Sequence, residues 1–165
     1  VQHLFAPWRF TYVSHADAPS GCIFCAAAAG GPDELTVLKG CDAFVMLNRF
    51  PYTSGHAMVA PCRHVAEIGD LDAAALAEMM VLAQRVVGAL RGIYRPHGFN
   101  IGFNLGEAAG AGIADHLHLH VVPRWRGDTS FMTVSGGVRV IPEDLEDTRR
   151  KLAAALEDGD AGARR

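Results

Sequence analysis

The chain has 165 residues, half of them hydrophobic and a fifth charged, a balance that suits one globular domain with a sizeable core and excludes a disordered chain. A formal net charge of −3 supplies no broad basic field for nucleic acid. The opening residues VQHLFAPWRF show no basic segment leading into a long apolar run, and no apolar stretch looks long enough to cross a bilayer, so a cytoplasmic protein with no membrane partner is expected.

The whole chain, 1–165, reads as one domain with an N-terminal arm over 1–20 and a polar, fraying tail over 158–165. In the arm, Phe5, Pro7, Trp8, Phe10 and Tyr12 make a dense apolar segment expected to dock on the body of the protein or on a second subunit. Cys22 and Cys25 then form a C-x-x-C pair beside a short alanine-rich run that predicts a helical turn ending near Gly30. Leu35–Leu38 and Ala43–Leu47 read as two strands joined by a turn at Lys39–Asp42. A loop from Asn48 to Tyr52, closed by Ser54 and Gly55, leads into a strand from His56 to Pro61.

A long helix follows, capped by Asp72, with Leu76, Met79, Met80, Ala83, Val86, Val87, Leu90 and Ile93 at three- and four-residue steps along one face, and ended by Gly92 and Pro96. Phe99–Asn104 is a strand, and the glycine-rich connection Gly106–Gly112 delivers the chain to DHLHLHVVPR, Asp115–Arg124. In that strand His116, His118 and His120 alternate with Leu117 and Leu119. An extended chain therefore sets three imidazoles on one face, about 7 Å apart, and the leucines on the core face. A loop with at most a short strand near Val138–Ile141 precedes a last helix, started by Pro142, Glu143 and Asp144 and striped with Leu145, Leu152 and Leu156. The fold class is α+β: an antiparallel sheet of about five strands, one long central helix and a C-terminal helix.

Three side chains that titrate near neutrality are a poor core filling, so the histidine face is the candidate active site. The glycine-rich loop entering it offers backbone amides suited to phosphate, but it has no Gly-Lys-Ser/Thr and is followed by a strand, so it is neither a Walker loop nor a dinucleotide fingerprint. Cys22 and Cys25 suit zinc, with two histidines completing a tetrahedral set and His64 a natural third ligand. A catalytic zinc on His116, His118 and His120 is the competing placement. Cys41 and Cys62 read as buried small residues.

The run His116-Leu117-His118-Leu119-His120-Val121-Val122-Pro123 resembles the signature of the histidine triad (HIT) superfamily, and Leu47 to His56 resembles that family's strand-loop-strand carrying a fourth histidine. APWR, CIFC, Asn104-Leu105-Gly106 and PRWRGDTSF are similar to the bacterial branch related to diadenosine tetraphosphate phosphorylases. The resemblance runs from about Leu4 to about Leu156.

It implies a HIT-like fold, a homodimer with continuous sheets, and an enzyme acting on dinucleoside polyphosphates or related adenine nucleotides. His118 would attack the α-phosphorus to form a nucleotidyl-histidine. His120 would support the phosphoryl oxygens or leaving group, and His56 would complete the set. Asn48 is implied at the ribose and Asn104 near the phosphates; Phe24, Phe44 and Leu47 are candidate walls of the base pocket. The loop before the triad departs from many relatives. Ala111, Gly112, Ile113 and Ala114 carry no side-chain donor, so Gly112 and Ile113 would bind through backbone amides, which leaves the leaving group open. The resemblance also assigns a structural zinc to Cys22, Cys25, His64 and His116. Water as acceptor makes a hydrolase and phosphate a phosphorylase. A nucleotide-binding regulatory protein with little catalysis and a hydrolase with zinc on the triad are the other readings.

Overall fold

The computed structural model describes residues 21–30, 35–129 and 141–163, with side chains through 157. The expectations for the N-terminal arm, and for a strand over residues 138–140, lie outside the described residues; Ile141 is not in a strand.

Five strands make one antiparallel sheet: β1 Thr36–Lys39, β2 Ala43–Leu47, β3 Ala57–Pro61, β4 Gly98–Phe103 and β5 Leu119–Arg124. Their spatial order is β1-β2-β3-β5-β4, so β5 inserts between β3 and the edge strand β4. Among the described residues three α-helices accompany it, α1 Ile23–Ala28, α2 Ala73–Tyr94 and α3 Leu145–Ala163. Helix α2 packs on β2, β3 and β5, and α3 on α2 and β1.

The register decides which side chains share a face. His120 stands opposite Met58 on β3 and Gly102 on β4, and Met58 stands opposite Met46 on β2. By alternation Phe44, Ala60, Val122, Arg124 and Asn100 belong to this histidine face. Leu47, paired with Ala57, belongs with Val59, Leu119 and Val121 to the opposite face, against the helices. Every residue of β2 and β3 is buried, so both faces of the central sheet are covered.

Helix α2 starts where Asp72 Oδ1 accepts the Ala75 N–H at 2.9 Å. It runs through Gly92, past the expected stop, and ends at Arg95, which takes a left-handed φ of 48°. Pro96 explains that end, because a proline disfavours right-handed helical backbone in the residue before it. Ala75, Met79, Leu82, Ala83, Val86 and Leu90 are buried, whereas Met80, expected on the apolar face, is 54% exposed. With Met79 at the centre of the stripe, its chain neighbour is turned about 100° away.

At 22 residues α2 is long and apolar enough to cross a membrane by length and composition, contrary to the sequence expectation. Its buried stripe is the core contact of the sheet. Helix α3 stays helical to Ala163, through most of the expected polar tail. It anchors through Leu152 and Leu156, both almost wholly buried, each a contribution of about 2 kcal/mol from apolar burial.

The histidine run is less of a strand than expected. Ladder pairing with β3 begins at Leu119, and the segment before it is irregular. There the Leu117 N–H donates to the Val65 carbonyl at 2.7 Å, and His118 turns its own ring back onto the chain. His56 likewise lies just before β3, not in it. Gly55 ahead of it has φ 79°, and a Cβ there would meet Leu90 of α2 at 2.8 Å. Only glycine lets the loop press this closely on the helix.

Candidate active site and metal centre

All four of His56, His116, His118 and His120 are buried, and each ring nitrogen facing a main-chain group has its proton state set by that group. The Nδ1–H of His118 donates to the His116 carbonyl at 2.9 Å. A carbonyl only accepts, so the neutral ring keeps its lone pair on Nε2. At the neighbouring imidazoles the order starts from a main-chain donor. The Tyr52 N–H donates to His56 Nδ1 at 3.1 Å, which places the His56 proton on Nε2. That proton is donated to His120 Nδ1 across 2.9 Å, leaving His120 with an N–H at Nε2. One ring thus presents a lone pair and its neighbour, 4.8 Å away between centroids, a donor.

Burial lowers the pKa of both rings. His118 falls below its ordinary value of 6.5, opposed in part by the bond to the His116 carbonyl. His120 falls to about 4 through burial and the proximity of His118. Both are neutral at pH 7, the state a nitrogen nucleophile needs. Phe24 of α1 backs the pair, stacked on His118 at 4.8 Å and tilted against His116 at 5.0 Å.

His116 faces the other way. Its Nε2–H donates to the Pro61 carbonyl at 3.0 Å, so its lone pair is on Nδ1. That atom lies 3.3 Å from Cys22 Sγ, 3.6 Å from Cys25 Sγ and 3.2 Å from His64 Nδ1, and Cys25 Sγ is 3.2 Å from His64 Nδ1. The four ligand atoms fall within 4.8 Å of one another. A tetrahedral zinc with bonds of about 2.1 Å to nitrogen and about 2.3 Å to sulfur sets its ligands roughly 3.4 to 3.8 Å apart. Two thiols and two imidazole lone pairs converging at that spacing fit such an ion. The three triad rings do not converge on a point of their own: their Nδ1 atoms address the cysteines, a carbonyl and His56 respectively.

A cleft of about 320 Å³ opens on the histidine face past His120. Tyr52, Thr53, Gly102, Asn104 and Val122 are in its lining with His120, and Asn100, Arg124, Asp128 and Thr129 line its far end, where Arg124 bonds Asn100. The side-chain amide of Asn104 lies 3.5 Å from His120 Nε2. Several expected site residues lie outside the lining of this cleft. The register turns Leu47 to the helix side of the sheet, away from the imidazoles, so it cannot wall a pocket beside them. Phe44 shares the histidine face but is fully buried. Asn48 uses its side-chain oxygen to accept the Phe50 N–H at 2.9 Å and holds its amide nitrogen 3.4 Å from His56 Nδ1. Gly112 and Ile113 do not line the cleft, and Ile113 packs against the core.

Sequence reasoning missed Tyr52, whose main-chain N–H orders the protons, and the group Arg124, Asp128 and Asn100. Arg124 and Asp128 stand four apart across a turn, a detectable charge pattern. Asn100 joins them only through the β4–β5 pairing.

Residues 32–127 match the family described as HIT domain. A protein of Mycobacterium tuberculosis named AP-4-A phosphorylase is 41% identical over 162 residues, covering 93% of this chain and 83% of that protein. An uncharacterized HIT-like protein of the same species is 34% identical over 142 residues, covering 86% of this chain and 97% of that protein. The crystal structure of a zinc-bound histidine triad family protein from Mycobacterium smegmatis superposes with a TM-score of 0.71 at 34% identity, covering 86% of this chain and 97% of that one. With the triad, the fourth histidine and the five-stranded sheet in place, the chain belongs to the HIT domain family.

Proposed function

We propose that the protein is a HIT-family enzyme that processes dinucleoside polyphosphates by nucleotidyl transfer through His118. The proton order carries the reading: a main-chain carbonyl fixes the His118 lone pair on Nε2, and a main-chain N–H fixes a donor on His120 Nε2. Likeness to the AP-4-A phosphorylase supports the substrate class. His118 Nε2 forms a bond to the α-phosphorus as the bond to the leaving phosphate oxygen breaks. The electron pair goes to that oxygen, which His120 Nε2–H meets. The acceptor then attacks the same phosphorus and the pair returns to His118. The attacking nitrogen carries no proton, and the Nδ1–H stays on the His116 carbonyl through the step.

Zinc held by Cys22, Cys25, His64 and His116 is part of the proposal. It would tie α1 and the segment after β3 to the start of the histidine run, fixing the chain from which His118 projects. Reduced thiols at this site suit the cytoplasm. A homodimer through the β4 edge is also proposed. Ile101 on that edge is 48% exposed, and Met80 and Val81 on α2 are about half exposed, apolar surface that a second copy would cover.

Incubation with diadenosine tetraphosphate, with and without inorganic phosphate, tests the function. Phosphate-dependent ADP plus ATP is the product pair expected for a phosphorylase, and AMP plus ATP without phosphate that of a hydrolase. Binding with no turnover under either condition would overturn the enzymatic reading.

A further inference from the structure

The cleft past His120 has a shape and a charge arrangement that nucleotidyl transfer alone does not require. Its floor is sparse: Gly102 stands directly opposite His120, and a Cβ there would meet nothing within 4 Å. Val122 is the next floor residue along β5. The far end is polar and fixed. Arg124 donates from Nε at 2.5 Å and from Nη2 at 2.9 Å to the two carboxylate oxygens of Asp128, and from Nη1 at 2.6 Å to Asn100 Oδ1. The Trp125 N–H also donates to Asp128, at 3.3 Å. These contacts use three of the five guanidinium N–H groups, leaving two for the cleft among the described residues.

Two arguments say what such a cleft receives. The first is direction. In an in-line displacement the leaving oxygen stands on the far side of phosphorus from the attacking nitrogen, and the cleft begins at the His120 donor and excludes His118. From His120 to Arg124 is four strand residues, about 13 Å, a length that a bare phosphate does not span and a nucleoside polyphosphate does. The second is charge. The Arg124 cation is met by the Asp128 carboxylate, so the far end offers mixed donors and acceptors, with Thr129 and Asn100 beside them, in place of an uncompensated positive charge. A hydrogen-bonding group with little charge of its own suits that setting better than a phosphate does. A space of this size is at the small end for ligand sites and holds a fragment of a dinucleotide.

Resting on the nucleotidyl-transfer reading above, we infer that the β4–β5 cleft is the subsite for the distal nucleoside of the leaving group, with Arg124, Asn100 and Asp128 as its specificity-determining residues. The bare floor at Gly102 leaves room for the phosphates that lead away from His120, and the anchored guanidinium and carboxylate read the polar edges or ribose hydroxyls of the distal nucleoside.

Diadenosine tetraphosphate and adenosine 5′-tetraphosphate separate this from other uses of the cleft, because both present the same reacting phosphorus and phosphate chain and only the first carries a distal nucleoside. Wild-type enzyme prefers diadenosine tetraphosphate. Arg124→Ala lowers kcat/KM for it about tenfold and leaves that for adenosine 5′-tetraphosphate within twofold. Asn100→Ala does the same to a smaller degree and serves as the second variant should Arg124→Ala fold poorly. An equal fall on both compounds would assign the cleft to the shared phosphate chain and overturn the nucleoside subsite, as would no change on either. A wild-type protein inert toward both compounds signals failure of the nucleotidyl-transfer reading and overturns the subsite with it.

Discussion

Two groups of histidines less than a strand's length apart use the same side chain in opposite ways. At the candidate metal centre, the Nδ1 atoms of His116 and His64 gather with two thiols around one point. At the reaction site, the nitrogens of His56, His118 and His120 are each paired in one direction, so that the protons run in order from the Tyr52 main chain to the mouth of the cleft. Convergence would let a metal ion staple the chain; directed pairing would set a nucleophile beside a donor. The difference comes from main-chain groups at the second nitrogen of each ring: the Pro61 carbonyl, the His116 carbonyl and the Tyr52 amide.

That contrast can be broken at either end. The largest effect is expected at His118, where His118→Gly removes the lone pair and lowers kcat by at least about 10³-fold while nucleotide binding measured by calorimetry survives. Retained turnover in that variant would dismiss the nucleophile. At the other group, purified protein is expected to carry about one zinc per chain. Cys25→Ala is expected to lose it and to unfold roughly 10 °C lower, the shift of a few kcal/mol in a domain of this size. Elemental analysis and a thermal melt check this, and a variant that keeps its zinc would remove Cys25 from the ligand set.

Between the two lies His56, proposed as a positioning residue that acts through its bond to His120. His56→Ala is expected to lower kcat about tenfold to a hundredfold with little change in KM. His56→Gln, which can accept from Tyr52 and donate to His120, is expected to recover part of the loss. Equal loss in both variants would mean that His56 serves packing alone.

The smallest effect is on stability against pH. His120 titrates near 6.5 when unfolded and at about 4 when folded. Between those values the unfolded chain binds a proton that the folded chain does not, so stability falls as pH drops from about 6.5 toward 4 and levels below it, a loss on the order of 3 kcal/mol. Denaturant titrations at pH 7 and 4.5 measure it, and His120→Gln should weaken the dependence, leaving the part due to His118, whose pKa burial also lowers.

Much of this was legible in the sequence because local chemistry announces it. Glycine and aspartate marked the β1–β2 turn, Asp72 the start of α2, and the alternation of histidine and leucine the site itself. Cys22, Cys25 and His64 were legible as soft ligands. What could not be read depended on pairing across the chain. Leu47 reads from the sequence as a candidate wall of the base pocket, but pairing with Ala57 turns it to the opposite face. Gly102 looks like any strand glycine until the register sets it opposite His120. Nor does a sequence show which nitrogen holds a proton, since that is decided by carbonyls and amides with no residue type of their own. Helix α2 passed through Gly92 because tertiary packing outweighs the roughly 1 kcal/mol that a glycine costs inside a helix.

The central claim is that one imidazole of the triad is the nucleophile and the other two are not. Rapid acid-free quenching of the enzyme with diadenosine tetraphosphate labelled at the α-phosphorus, followed by proteolysis and mass spectrometry, locates the covalent adduct. The account predicts a phosphoramidate on His118 alone, formed and consumed within one turnover. Label on His116 or His120, or turnover with no adduct on any histidine, would contradict it.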